Sequence, residues 1–163
     1  MTTLKLAYSK IISPDNIEDL LADYKQKQEK IVFTNGCFDV LHYGHIDYLS
    51  KAADFGSKLI IGLNSDNSVK RLKGDSRPIN NENARALLLA SLFFVDAIIV
   101  FDEDTPEKLI KKVCPNVLVK GGDYKLENIV GAQYVIANKG NVEIIPFVEG
   151  FSSTNIINLL GSE

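Results

Sequence analysis

Apolar residues in this chain fall into short runs separated by mixed stretches. Residues 31–34 (IVFT), 58–63 (KLIIGL), 96–101 (DAIIVF), 117–120 (VLVK) and 142–147 (VEIIPF) are apolar almost throughout and rich in β-branched side chains. That is the pattern of strands buried on both faces. Between them the apolar positions take helical spacing. Residues 14–27 predict a helix with Ser13 as N-cap, Pro14 in the first turn, and Ile17, Leu20, Leu21 and Tyr24 on one face. Residues 44–54 predict another, stopped by Gly56. Further helices are expected over 81–92, from Thr105 to about Val113, over 131–139 ahead of Gly140, and over 154–160. Strands alternating with helices predict an α/β fold: a Rossmann-like, doubly wound, five-stranded parallel sheet. Residues 1–30 read as a helical N-terminal extension and 31–163 as the α/β body of a single domain.

Composition narrows the function class. With 163 residues, 45% hydrophobic and 24% charged, the chain has the profile of an ordinary globule. A net charge of −3 supplies no basic face for nucleic acid. No apolar run approaches the roughly 18 residues of a membrane span, and MTTLKLAYSK lacks the parts of a signal peptide. The expected location is cytoplasmic, without nucleic-acid or membrane partners. Cys37 and Cys114 are far apart in sequence, so free thiols are expected.

In a doubly wound sheet, ligands bind in the loops after the strands. Four such loops carry chemistry. The first is Asn35-Gly36-Cys37-Phe38-Asp39, leading to His42-Tyr43-Gly44-His45, which holds both histidines of the chain. Gly36 allows a sharp turn, and Gly44 allows a ligand near the backbone where a helix begins. Free N–H groups and the helix dipole there attract phosphate. Two imidazoles three positions apart on that turn face the same way and can donate to phosphate oxygens as charge builds. A zinc site from Cys37, His42 and His45 lacks an obvious fourth ligand, and a purely structural, turn-capping pair is the plain alternative. The second loop, from Asn64-Ser65-Asp66 to Pro78, carries Lys70, Arg71, Lys73 and Arg77. It reads either as a solvated loop or as a cationic flap over phosphates, with Lys73 and Arg77 favoured by their glycine and proline neighbours. The third, Lys120-Gly121-Gly122-Asp123-Tyr124, would let a flat base approach or merely turn the chain. The fourth, Gly150-Phe151-Ser152-Ser153-Thr154, opens the last helix, as a simple cap or as a second phosphate site. There is no Walker A sequence and no G-x-G-x-x-G after the first strand.

Together these loops resemble the cytidylyltransferase-like nucleotidyltransferases, whose His-x-Gly-His stands here as His42 to His45 with Ser152-Ser153-Thr154 opening the last helix. Within them the closest likeness is to the heptose-1-phosphate adenylyltransferases, through TNGCFDVLHYGH, LNSD with RLKG and RP, VLVKGGDY, and GFSSTNII. That family is often the C-terminal half of a bifunctional kinase–adenylyltransferase. The resemblance covers about residues 30 to 160. It implies transfer of AMP from ATP, with Mg²⁺, to D-glycero-D-manno-heptose 1-phosphate, giving ADP-heptose and pyrophosphate in lipopolysaccharide core synthesis. It also implies a homodimer, for which the apolar stretch Leu87 to Phe94 is the candidate surface, full burial of that helix being the plain alternative. By the same resemblance His42, His45, Lys73 and Arg77 are catalytic. Asn35, Gly36, Cys37, Phe38, Gly44, Lys120, Gly121, Asp123, Ser152, Ser153 and Thr154 hold the nucleotide. Asp39, Asn64 and Asp66 are candidates for the sugar phosphate, and no side chain is assigned to a metal. Glycerol-phosphate cytidylyltransferases carry an arginine shortly before the Ser/Thr turn, where this chain has Pro146-Phe147-Val148-Glu149. The alternatives are a cytidylyltransferase for glycerol or another alcohol phosphate, and a nucleotide sensor without turnover.

Overall fold

The computed structural model describes residues 2–160. Met1 and residues 161–163, the outer ends of the extents 1–30 and 31–163, lie outside the described residues. The order of elements is α1 (Thr3–Ser9), β1 (Ile11–Ile12), a 3-10 turn (Pro14–Asn16), α2 (Ile17–Gln26), β2 (Ile31–Gly36), α3 (Tyr43–Ala53), β3 (Lys58–Asn64), α4 (Asp66–Lys73) and α5 (Glu82–Ala90). Then come β4 (Ala97–Phe101), α6 (Glu107–Val113), β5 (Val117–Gly121), a 3-10 turn (Leu126–Asn128), α7 (Ala132–Ala137), β6 (Asn141–Ile145) and α8 (Ser153–Leu160).

The sheet is parallel and six-stranded, in the order β1-β4-β3-β2-β5-β6. The five apolar runs all appear in it. The sixth strand, β1, is a two-residue edge in which Ile11 faces Ile98 and Ile12 faces Ile99, too short to announce itself as a run. Alternation within each strand divides the core. Val32, Leu59, Ile61, Leu63, Ile98, Val117 and Val119 meet α3 and α5 on one face. Ile31, Phe33, Ile60, Ala97, Ile99 and Leu118 meet α2, α6 and α7 on the other. Both Val32 and Phe33 are fully buried, which is why IVFT reads as apolar without a period of two.

Three elements depart from the sequence pattern. α1 buries only Ala7 and leaves Leu4, Leu6 and Tyr8 exposed, so its apolar residues mark no core-facing stripe. The segment after β3, read as a loop, is instead the helix α4, capped by the Ser65 side chain accepting from the Ser68 N–H and ended at Gly74 with φ +96°. The last strand stops at Ile145 rather than 147, where Pro146 has no N–H to give the ladder.

The chain runs from β2 outward through β3 to β4, then crosses back to lay β5 on the other side of β2. The carboxyl ends of β2 and β5 therefore bound the crevice where such sheets bind ligands. Asn35 and Gly36 end β2, and Lys120 and Gly121 end β5.

Candidate active site

The loop after β2 is held by its own residues. Phe38 sits at φ +45°, an unfavourable region for a side chain of its size. Its ring lies over Gly36, where an added Cβ would come within 2.9 Å of it. Next, Asp39 is 2% exposed. Its carboxylate accepts from Arg77 Nε at 2.5 Å, the Ile79 N–H at 2.7 Å and the Asn80 N–H at 3.0 Å. Burial works to raise the Asp39 carboxyl, but the bonds from Asn80, Arg77 and Ile79, with the Arg77 charge, hold it below its ordinary range. Asp39 is thus the anchor that folds residues 77–80 back over the loop. Arg77, expected to bind phosphate, is itself only 9% exposed; its Nε is taken by Asp39, and its Nη2 is buried with no hydrogen-bond partner among the described residues.

His42 occupies the N-cap position of α3 and His45 its first turn, with the His45 N–H donating to the His42 carbonyl at 2.9 Å. The imidazoles stack, with centroids 3.8 Å apart and planes 24° off parallel. The Nδ1 atom of each is buried with no hydrogen-bond partner among the described residues. A buried N–H without an acceptor is costly, so the neutral rings carry their proton on Nε2. Burial, then repulsion by His42 when that ring is protonated and by Lys73, pushes His45 down to about 4. Burial also lowers His42. Both rings are therefore neutral donors at pH 7.

Gly44 leaves room beside the His42 ring and Phe151. A Cβ there would stand 3.1 Å from His42 Cε1, 3.2 Å from His42 Nδ1 and 3.1 Å from Phe151 Cβ. Gly44→Ala should leave the melting temperature nearly unchanged, because alanine's helix preference of about 0.5–1 kcal/mol opposes the crowding. Turnover should fall about tenfold, the effect of roughly 1.4 kcal/mol on the barrier. Melting curves beside turnover of the same preparation would check both.

The histidines face a cleft made of two joined cavities of about 280 and 300 Å³ that share His45, Tyr48, Lys73, Phe147 and Ser153. One arm is lined by Asn35, Gly36, Cys37, Phe38, Asp39, Lys120, Gly121 and Tyr124. The other is lined by His42, Gly44, Val148, Phe151, Ser152 and Thr154. α8 begins at this cleft, tied to the first loop by Ser153 Oγ donating to the Val40 carbonyl at 3.0 Å. The N-termini of α3 and α8 thus border one space, a favourable place for a polyphosphate. Lys120 Nζ lies 3.4 Å from Asn35 Oδ1 and 5.7 Å from the centre of the Tyr124 ring. Burial lowers its pKa, against a smaller opposing effect of Cys37. Burial likewise raises the Cys37 thiol.

Four of the sequence-derived candidates do not line the cleft: Arg77, Asn64, Asp66 and Asp123. Asn64 is 3% exposed and donates from Nδ2 to Ser68 Oγ at 3.0 Å. Asp66 accepts from Arg85 Nη2 at 2.7 Å. Asp123 is exposed in the third loop. Arg71, in turn, pairs with Asp104 at 2.7 Å, leaving Lys73 as the cation of that segment in the cleft.

Several residues that matter here were not singled out by the sequence. Tyr48, three positions beyond His45, has its hydroxyl 2.5 Å from Thr34 Oγ1 and donates to the Val119 carbonyl at 3.2 Å; burial moves it to about 12. It ties β2 to β5 beneath the cleft. Phe147 packs where a Cβ on Gly121 would be, 2.7 Å from its Cε1. Arg85, fully buried, joins Cys37, Asn64, Asp66 and Asn80. Its signal was a lone charge entering the apolar stretch ARALLLA. Among the described residues no three His, Cys, Asp or Glu side chains converge as a metal-ligand set, and no helix is long and apolar enough to cross a membrane.

The chain is 53% identical over 147 residues to the "Bifunctional protein HldE" of Actinobacillus pleuropneumoniae, covering 90% of this chain and 31% of that protein. It is 57% identical over 140 residues to the protein of the same name from Campylobacter jejuni subsp. doylei, covering 86% of this chain and 30% of that one. The chain therefore spans about a third of the length of these relatives. Among solved structures, the lipopolysaccharide core biosynthesis protein of Thermoplasma volcanium is 29% identical with a TM-score of 0.59, over 74% of this chain and 97% of that one. The pantoate-beta-alanine ligase of Francisella tularensis, 19% identical with a TM-score of 0.59 over 90% of this chain and 75% of that one, shares the fold. The family model described as Cytidylyltransferase-like matches residues 33–159, from the middle of β2 to the last turn of α8, and the chain belongs to that family.

Proposed function

We propose that this chain is an adenylyltransferase that moves AMP from ATP to D-glycero-D-manno-heptose 1-phosphate, releasing pyrophosphate and forming ADP-heptose. The observation that carries the reaction type is the stacked, neutral histidine pair at the start of α3, facing a cleft that also holds Lys73, Lys120 and the start of α8. Identity above 50% to the HldE proteins and the VLVKGGDY and GFSSTNII stretches support the adenylyl donor and the heptose acceptor.

The chemistry needs no protein nucleophile. An oxygen of the sugar phosphate attacks the α-phosphorus, and the bond to the bridging oxygen of pyrophosphate breaks. The Nε2 protons of His42 and His45 donate to the phosphate oxygens whose charge grows in that step. Lys73, at the end of α4 beside the conformationally free Gly74, neutralises the departing pyrophosphate. The N–H groups at the start of α3 and α8 hold the phosphate chain in line. Asp39 and Arg77 set the loop rather than touch substrate. Mg²⁺ supplies charge neutralisation on the triphosphate. Among the described residues Asp39 is the one cleft-lining carboxylate, and its oxygens accept from Arg77, Ile79 and Asn80. The metal would thus be held mainly by phosphate oxygens. The same reading includes a cytoplasmic homodimer that joins through Leu88 and Phe93, 46% and 92% exposed beside the buried Leu89 and Ala90.

Pyrophosphate release measured with ATP or CTP against heptose, glycerol and ethanolamine phosphates tests the assignment. Release with ATP and heptose 1-phosphate alone is expected. A preference for CTP would replace it with a cytidylyltransferase, and no release with any pair would leave a nucleotide sensor. Sedimentation showing only the single chain would remove the dimer.

A further inference from the structure

Catalytic histidines are ordinarily aimed by a hydrogen bond from the second ring nitrogen to a carboxylate or carbonyl. Neither imidazole here has one, since both Nδ1 atoms are buried without a partner among the described residues. Something else must fix the rings. A continuous column of four rings runs across the start of α3. Phe38 meets His45 edge-on at 5.2 Å and 65°. His45 stacks on His42 at 3.8 Å. His42 lies parallel to Phe151 at 6.5 Å and 23°, and Phe151 also meets Tyr43 at 5.1 Å. The contacts made by Phe38, Phe151 and Tyr43 fall within the range of about 4.5–7 Å in which rings orient one another, and the two imidazoles lie closer still.

We infer that Phe151 is a positioning residue for His42, closing from the α8 side a ring clamp that Phe38 closes from the β2 side. The inference rests on reading His42 and His45 as phosphate donors. Phe151 reaches the column because residue 44 is glycine, whose missing Cβ leaves 3.1 Å to the Phe151 Cβ. Phe151 comes directly after Gly150, which has φ +86° and nothing within 4 Å of its absent Cβ, and it precedes α8, a helix with no buried residue. The clamp is therefore closed by a lightly packed segment, and the aim of His42 depends on where that segment sits.

The chain has two histidines, so the imidazole region of its NMR spectrum holds two ring systems that single variants assign. Phe151 is 45% exposed, so replacing it leaves the core intact. In ligand-free Phe151→Leu protein the His42 ring signals should shift markedly and those of His45 much less, while Phe151→Tyr, which keeps the ring, leaves both near their native places. In turnover, Phe151→Leu should lower kcat about tenfold with KM for ATP within about twofold, and Phe151→Tyr should restore it. Unmoved His42 signals in Phe151→Leu overturn the clamp. So does a Tyr variant as slow as the Leu variant, or a rise in KM with kcat unchanged, which would make Phe151 a plain binding contact. If the native protein shows no turnover, the functional reading fails, and the spectra of the ligand-free variants still decide the clamp.

Discussion

Replacing His45 with asparagine is expected to lower kcat by about 10²–10³-fold, the usual effect of removing one donor aimed at developing charge. The KM for ATP should change far less, because the α3 and α8 N-termini, Lys73 and Lys120 still hold the phosphates. His45 is the stronger choice of the two rings. It lines both arms of the cleft, whereas His42 lines one. Asparagine keeps a polar group of similar reach at Nδ1 but supplies nothing at Nε2. A second consequence separates this variant from a merely damaged one. The ordinary imidazole value of 6.5 falls to about 4 in the folded chain. The unfolded state therefore binds more protons below pH 6.5, and folding stability drains away as pH falls from 6.5 toward 4. Asp39 acts lower, because its depressed carboxyl withdraws stability only as pH falls below the ordinary carboxylate value. His45→Asn protein should thus lose less stability than the native chain between pH 6.5 and 4 while losing most of its turnover. Pyrophosphate release and urea midpoints across that range measure the pair. Undiminished turnover in a folded His45→Asn protein would remove the histidines from the reaction.

The fold was legible where burial alone dictates sequence. IVFT, KLIIGL and VLVK must be apolar on both sides because helices cover both faces of the sheet, and no other element asks for that. It was illegible where an element is stabilised by something other than an apolar stripe. α4 buries Ser68 and Val69 and little else. Its folding signals are the Ser65 cap and the terminal Gly74, and its charges, Lys70, Arg71 and Lys73, read equally well as a flap. The histidine pair was legible because its chemistry lies within four consecutive residues. The fate of Arg77 was not. Its partner Asp39 is 38 positions away, and an arginine beside a phosphate site and one bracing a loop carry the same letter. The same holds for Asp66, which looked like a substrate ligand at a strand end but meets Arg85. Charged residues near a cleft divide into those that meet substrate and those that hold the loops which do, and that division appears only once the loops are folded.

Arg85→Met should be the most destabilising single change in the molecule outside its apolar core. The guanidinium is fully buried. It donates from Nε to the Asn80 carbonyl at 2.9 Å, from Nη1 to the carbonyls of Cys37 at 2.7 Å and Asn64 at 2.8 Å, and from Nη2 to Asp66 Oδ1 at 2.7 Å. These partners follow β2, end β3, begin α4 and precede α5, so one side chain fastens four crossings above the sheet. Methionine fills the volume but leaves three carbonyls without a donor. Each buried group left unsatisfied costs about 1–3 kcal/mol, and breaking a buried ionic cluster costs about 3–5 kcal/mol. For a domain of this size each kcal/mol moves the melting temperature by roughly 2–4 °C, so a fall of about 10 °C is expected. Lysine should rescue little, since one ammonium cannot reproduce the planar fork. The Asp66 side chain is 32% exposed and can turn to water. Asp66→Asn should therefore cost no more than about 1 kcal/mol, the value of a partly exposed ion pair. Thermal melts of the two variants separate the sources of the effect. Equal losses in Arg85→Met and Asp66→Asn would put the stabilisation in the ion pair, whereas a large loss in the first and a small one in the second puts it in the three carbonyls, which belong to the backbone that shapes the cleft.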